Sequence, residues 1–188
     1  MKTYPLPIQG LHHNAYRCRD AEETRAFYED FLGLPLACSL RREQTETGVK
    51  TPLLHIFFEM LDGSYLAFFD LPEIPFDFKE QEPADLHIAL EVDQGTLQAI
   101  YDRGTAAGIK PFGPVQLEVL KSIYFRDPNG YIIEFTTKTA GYKRGMDPDQ
   151  NRAREILDRW EADKPADRRP SQAKPTEADA PAGTRPKS

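Results

Sequence analysis

Cysteine is scarce: Cys18 and Cys38 are the only two in 188 residues. They form no C-x-x-C pair and match no zinc-ribbon spacing, so neither a disulfide scaffold nor a cysteine-rich metal site is expected. Both read as small buried apolar groups in a reducing compartment. Long apolar runs are missing too. None approaches the ~20 residues that span a bilayer, and the start, MKTYPLPIQG, has no apolar stretch of the secretory kind. Charge of one sign is not concentrated: the formal net charge is -6 and no basic face stands out, which argues against a nucleic-acid partner. The expectation is a cytoplasmic protein that meets neither membrane nor nucleic acid.

From Asp163 onward the chain has no aromatic residue and no Leu, Ile or Val. Such a segment buries too little apolar surface to offset its ordering entropy, so residues 163–188 are expected to be a disordered tail. Residues 147–162 are expected to form a helix, with Asp147 as cap and Pro148 at the first position. Its stripe of Ile156, Leu157 and Trp160 is expected to dock on the domain or on a partner subunit.

What remains, residues 1–140, divides into two similar halves at about 8–70 and 85–137, joined by a Pro- and acid-rich linker at 71–84. In the first half a strand pattern runs to Cys18. Asp20 with Glu23 makes a capping-box-like helix start, and Gly33 suits the stop. Three extended segments follow, with Asp62-Gly63 as a hairpin turn. The second half repeats the order: a strand to Val92, a helix stopping near Gly108, and three extended segments with Pro128-Asn129-Gly130 as a turn. Each half is strand, helix, then three strands. An internal repeat of this kind predicts a fold made by pairing two units.

Side chains alternate along a strand. Leu86, Ile88, Leu90 and Val92 share an apolar face that suits the helices, while His87, Ala89 and Glu91 face the other way. His13, Ala15 and Arg17 hold the equivalent positions in the first half. Glu134 interrupts the otherwise apolar run Tyr131-Ile132-Ile133-Glu134-Phe135. A buried, unpaired carboxylate is costly and seeks a cation. If the two non-helix faces curl into one cup, His13, His87 and Glu134 converge in it. Two imidazoles and a carboxylate with open positions suit a divalent metal and match the donor set of non-haem Fe(II) sites.

The stretches LHHNAYRCRDAEETRAFYEDFLGLPL, LHIALEVD and YFRDPNGYIIEF together resemble the vicinal oxygen chelate superfamily. That superfamily includes glyoxalase I, extradiol ring-cleavage dioxygenases, fosfomycin-resistance transferases and bleomycin-binding proteins. The resemblance covers nearly all of residues 1–140 and implies an α+β fold of two paired βαβββ modules in an open, cupped sheet. Glyoxalase I takes one metal ligand from the end strand of each module. Here the first-module position is Ala67, so a His13, His87, Glu134 set remains, as in extradiol dioxygenases and fosfomycin transferases. By the extradiol resemblance Tyr124 hydrogen-bonds a bound catechol. The family's further active-site histidines are absent from VQLEVL and SYLAFFD, which leaves His55 to move a proton.

The resemblance thus implies an extradiol-type enzyme holding Fe(II), with Mn(II) or Zn(II) as alternatives. It would act on a catechol-like or other vicinal-oxygen small molecule, in a homodimer whose cup forms within a chain or across two by module exchange. A glyoxalase-type lyase, isomerase or transferase using the metal as a Lewis acid is the second reading. A metal-free small-molecule binder is the third. Phe57, Phe58, Phe68 and Phe69 are core residues on this reading, some of them lining an aromatic pocket.

Overall fold

The computed structural model describes residues 7–80 and 82–165. The described residues up to Tyr142 make one compact unit of two modules. The first module is β1 (His13–Cys18), α1 (Ala21–Arg25) running into a wide π-type turn (Ala26–Phe31), β2 (Leu36–Gln44), β3 (Lys50–Glu59) and β4 (Tyr65–Asp70). The second is β5 (His87–Glu91), α2 (Gln94–Ala106), β6 (Phe112–Gln116), β7 (Leu120–Arg126) and β8 (Ile132–Lys138). Each folds as one four-stranded sheet, in the orders β1-β4-β3-β2 and β5-β8-β7-β6. β1 runs parallel to β4, β5 runs parallel to β8, and the remaining pairs are antiparallel. The βαβββ repeat expected from the sequence is therefore present twice.

Local chemistry sets the element ends. The Asp20 carboxylate accepts from the Glu23 amide at 2.7 Å, capping α1, and Asp93 does the same for α2 through Thr96. At the β3–β4 hairpin Asp62 accepts from both the amide and the hydroxyl of Ser64. β1 and β5 each end a sheet, so both expose an edge.

One core runs through both modules. Tyr28, Phe58, Leu66 and Phe68 of the first join Leu97, Ile123, Phe125, Ile133 and Phe135 of the second. The helix-side faces of the two sheets thus share a core, and Phe31 meets Phe125 edge-on at 5.8 Å. The β7–β8 turn locks the modules together. Asn129 accepts from the Arg19 amide at 2.8 Å and donates to the Thr24 hydroxyl, while Tyr28 donates to Asp127 at 2.9 Å. Tyr131 donates to the Arg17 carbonyl at 3.0 Å.

Gly130 in that turn has φ +96, and a Cβ there would come within 2.5 Å of the Lys79 backbone. Gly130→Ala is therefore expected to cost about 2 kcal/mol or more, from left-handed strain and a backbone clash together. Urea unfolding of the variant checks this; an unchanged midpoint would contradict it.

Two expectations need correction. Cys18 is buried, but Cys38 is exposed, because β2 is the outer strand of its sheet. Burial pushes the Cys18 thiol up to about 12, so it is no nucleophile. After the single-turn helix α3 (Tyr142–Gly145), a second unit contains α4 (Ala153–Asp163). The helix begins later than Asp147. That side chain closes a turn by accepting from the Asp149 amide at 3.1 Å and from Gln150 at 2.6 Å. The Asn151 side chain instead accepts from the Ala153 amide at 2.9 Å. Ile156, Leu157 and Trp160 are all exposed on α4. Of the expected tail, Asp163 ends α4, and residues 166–188 lie outside the described residues. No described helix is long and apolar enough to cross a membrane.

Candidate metal centre

In the second module the parallel pairing of β5 with β8 sets Ala89 opposite Glu134 and His87 opposite Ile132. Alternation then places His87 and Glu134 on the face away from the core. Their Nε2 and Oε2 atoms are 3.1 Å apart. His87 Nδ1 lies 2.6 Å from the Pro83 carbonyl, which only accepts, so Nδ1 carries the proton. In the neutral ring Nε2 is then a lone pair aimed at a carboxylate oxygen. Two such atoms this close need a proton or a cation at their contact. Glu134 is only 6 % exposed, so the question of its cation stands in the fold as it does in the sequence. A divalent ion fits this pair: an imidazole fixed from behind by a carbonyl, and a carboxylate.

Tyr124 sits opposite Glu134 in the β7–β8 register. Burial, and then the neighbouring Glu134 charge, push its phenol above the ordinary value. The hydroxyl therefore stays protonated at neutral pH and acts as a donor beside the carboxylate.

The first module carries the other expected residues. His13 opens β1 opposite Tyr65, with its ring 5.6 Å from Phe57 and 6.1 Å from His55. His12 precedes β1 and so escapes its alternation: its Nδ1 and that of His13 are 2.8 Å apart. His55 on β3 is 8 % exposed and stacks on Phe69 at 3.7 Å, with Phe57 at 4.1 Å. Burial first, and then His13, hold its imidazole below the ordinary value, so it is neutral at physiological pH. Phe58 and Phe68 are core, whereas Phe57 and Phe69 line the opposite face around His55.

His13 does not join His87 and Glu134 within one chain. Among the described residues no group of three or more His, Cys, Asp or Glu side chains is placed to hold a metal ion. The cause is the shared core: the modules meet through their helix-side faces, so the faces carrying the ligands are not turned into one cup. The sequence reading also missed what holds the site. Pro83, four residues before His87, orients the imidazole. Asp127 and Asn129, read only as a turn, join the modules. A proline close before a histidine and an Asp-Pro-Asn-Gly run were visible, but nothing local told their partners.

Between the free edges of β1 and β5 opens a mostly apolar cleft of about 1160 Å³. Asn14, Leu34, Met60, Ile88, Leu90 and Phe135 contribute to its walls.

Comparison with known proteins agrees with this architecture. The chain is 32 % identical over 136 residues to the metallothiol transferase FosB of Shouchella clausii (strain KSM-K16), covering 70 % of this chain and 82 % of that one. A glyoxylase/bleomycin resistance protein/dioxygenase domain from Frankia sp. EAN1pec superposes with a TM-score of 0.59 at 16 % identity, over 70 % of this chain and 99 % of that one. A variant of the fosfomycin resistance protein FosX from Listeria monocytogenes, solved with Mn(II) and 1S,2S-dihydroxypropylphosphonic acid, gives 0.53 at 21 % identity, over 72 % and 98 %. The sequence profile of the Glyoxalase/Bleomycin resistance protein/Dioxygenase superfamily matches residues 10–135. With two βαβββ modules in its fold and that match spanning most of the chain, the protein belongs to the glyoxalase/bleomycin resistance protein/dioxygenase superfamily.

Proposed function

We propose that this protein is a metal-dependent transferase that joins a thiol to a small molecule whose oxygens the metal would bind: sulfur would bond to a carbon as that carbon's bond to oxygen breaks, and the thiol's proton would pass to the freed oxygen. The observation that carries the reading is the His87–Glu134 pair, an imidazole fixed by the Pro83 carbonyl 3.1 Å from a buried carboxylate, which a divalent ion fits. The FosB relative is named a metallothiol transferase, and the FosX structure holds Mn(II) with a vicinal diol. The name of the FosB relative favours group transfer over the ring cleavage expected from the sequence, and neither protein favours Fe(II).

The third ligand is His13 of a second copy. β1 of one chain laid beside β5 of another brings the first module's ligand face to the second module's, and the apolar cleft between those edges gives the second copy a seat. When bound, the metal would supply Lewis acidity to the small molecule's oxygens. Tyr124 would orient that molecule by donating from its phenol. The apolar surroundings of Glu134 would keep competing water out.

The test is metal content and turnover of the full-length chain. One Mn(II) or Zn(II) per chain is expected after reconstitution, with loss of about tenfold or more in affinity on Glu134→Ala. Consumption of a small thiol with an electrophile, independent of dioxygen, is expected to follow the metal. Oxygen uptake with a catechol would return the assignment to ring cleavage. No metal under any condition would leave a metal-free binding protein.

A further inference from the structure

No residue of α4 is buried. At about 100° per residue, Ala153, Ile156, Leu157 and Trp160 fall on one arc of about 100°. Ile156, Leu157 and Trp160 are 62 %, 49 % and 64 % exposed. A helix of 11 residues is too short to hold itself in water, so its order has to come from packing that face. The polar side is laced by its own ion pairs: Arg154 reaches Asp158 at 2.9 Å, and Arg159 reaches Glu155 at 2.7 Å. The charges at the two ends run against the helix's own dipole. Arg152 and Arg154 stand at its N-terminal end, Glu161 and Asp163 at its C-terminal end, and the favourable order is the reverse. Glu155 in the first turn and Lys164 just past the last follow the favourable order, and Lys164 is held by Glu161 at 2.6 Å.

We infer that α4 is a self-association helix, its apolar stripe covered by α4 of a second copy lying antiparallel. The charge order selects both the occupant and the direction. Arg154 and Glu161 lie two turns apart on the same edge of the stripe. In an antiparallel pair related by a two-fold axis, like edges face each other. With the axis between Leu157 and Asp158, Arg154 of each copy meets Glu161 of the other. The same placement sets Asp163 beside the other copy's first turn, next to Arg152, where the partner's dipole is positive. Leu157 then meets Leu157 near the axis, and Trp160 covers the space between Ala153 and Ile156 of the second copy. The charges that oppose the dipole within one helix therefore suit an antiparallel neighbour. A parallel pair would set the two basic ends together and the two acidic ends together, which is unfavourable. A membrane surface is a poorer fit, since α4 carries four carboxylates to two arginines where helices lying on anionic lipid carry mostly Lys and Arg. The pairing does not rest on the metal or on the thiol-transfer reading.

Interchain disulfide formation in the full-length chain tests it. The background is Cys38→Ser, and Cys18 is buried and takes no part. Leu157→Cys is expected to link two copies on mild oxidation about tenfold or more faster than Ala153→Cys, which the antiparallel pair holds about 13 Å from its own counterpart along the axis. Arg154→Glu should slow the Leu157→Cys link about tenfold, since it sets two like-charged contacts in every pair, and adding Glu161→Arg should restore it. Arg154→Glu also brings a carboxylate to the first turn, which favours the helix itself. A role confined to helix stability would therefore respond in the opposite direction. Trp160 is the only tryptophan, so its emission reports on the stripe. It should move to the red on dilution and in Arg154→Glu. A dimer formed through β1 and β5 is common to all these variants and does not produce the differences among them. Equal rates at positions 153 and 157, no link at 157, or a rate blind to both charge changes would overturn the pairing. Blue emission unchanged by dilution, with no interchain link, would place the stripe against something other than a second α4 and overturn it too.

Discussion

Mixing His13→Ala chains with Glu134→Ala chains should restore activity that neither possesses alone. Each variant lacks one ligand of every site it can form with itself. If the site is built from His13 of one copy and His87 with Glu134 of the other, a mixed dimer has one site with both lesions and one with none. Random pairing makes half the dimers mixed, so about a quarter of wild-type sites should reappear in a two-fold assembly. The same fraction of bound metal should return. If the site closed within one chain, no mixture would contain an intact one, and activity would stay at the level of the separate variants. Co-expression of the two chains, or joint refolding, makes the comparison. The structure sets this expectation by what it keeps apart: His87 and Glu134 touch at 3.1 Å, while His13 keeps company with His55 and Phe57 in the other module. Recovery near a quarter would establish both the dimer and the exchange of modules. No recovery, with each single variant folded, would exclude the shared site.

Much of the fold was legible because its signals are local. Alternation on His87-Ile88-Ala89-Leu90-Glu91 separates ligand face from core face, and the structure keeps that separation. Asp20 and Asp93 cap their helices as short polar side chains before apolar runs do. The repeat of strand, helix and three strands follows from the same periodicities. What stayed open was long-range, namely whether the cup closes within one chain or across two. Nothing in either half states which faces of one chain will meet. The apolar helix sides of both sheets won, because burying Phe31, Phe125, Tyr131 and Phe135 together removes the larger apolar area from water. Among the described residues of one chain His13 stays apart from His87 and Glu134, which leaves closure across two chains as the reading to test. The start of α4 failed for a different reason. Asp147-Pro148 is a good helix opening, but Asp147 is already engaged in a turn and Asn151 supplies the later cap.

The second large effect is expected at Asp127, whose side chain is 3 % exposed and holds both modules. Its Oδ2 accepts from Tyr28 at 2.9 Å and from the Asn129 amide group at 3.1 Å. Its Oδ1 accepts from the backbone of Asn129 at 2.9 Å and of Tyr131 at 2.8 Å. Asp127→Ala leaves a fully buried tyrosine hydroxyl and two turn amides without an acceptor, each costing about 1–3 kcal/mol. A loss of about 3 kcal/mol or more is expected, enough to empty much of a marginally stable native state. Asp127→Asn should cost less, since one oxygen still serves the two amides and Tyr28 is able to turn and accept from the new NH₂. The pH dependence has a definite sign. Burial raises the Asp127 carboxyl above its ordinary value, more than its hydrogen bonds lower it. The stability contributed by such a group is complete below the unfolded value of about 3.9 and is lost as pH rises through the higher folded value. The gap between wild type and Asp127→Ala should therefore be wider near pH 4 than at pH 7. Urea unfolding at both pH values measures it. A gap below about 1 kcal/mol at both would mean that the turn is not what holds the modules together, and the shared core would carry that role alone.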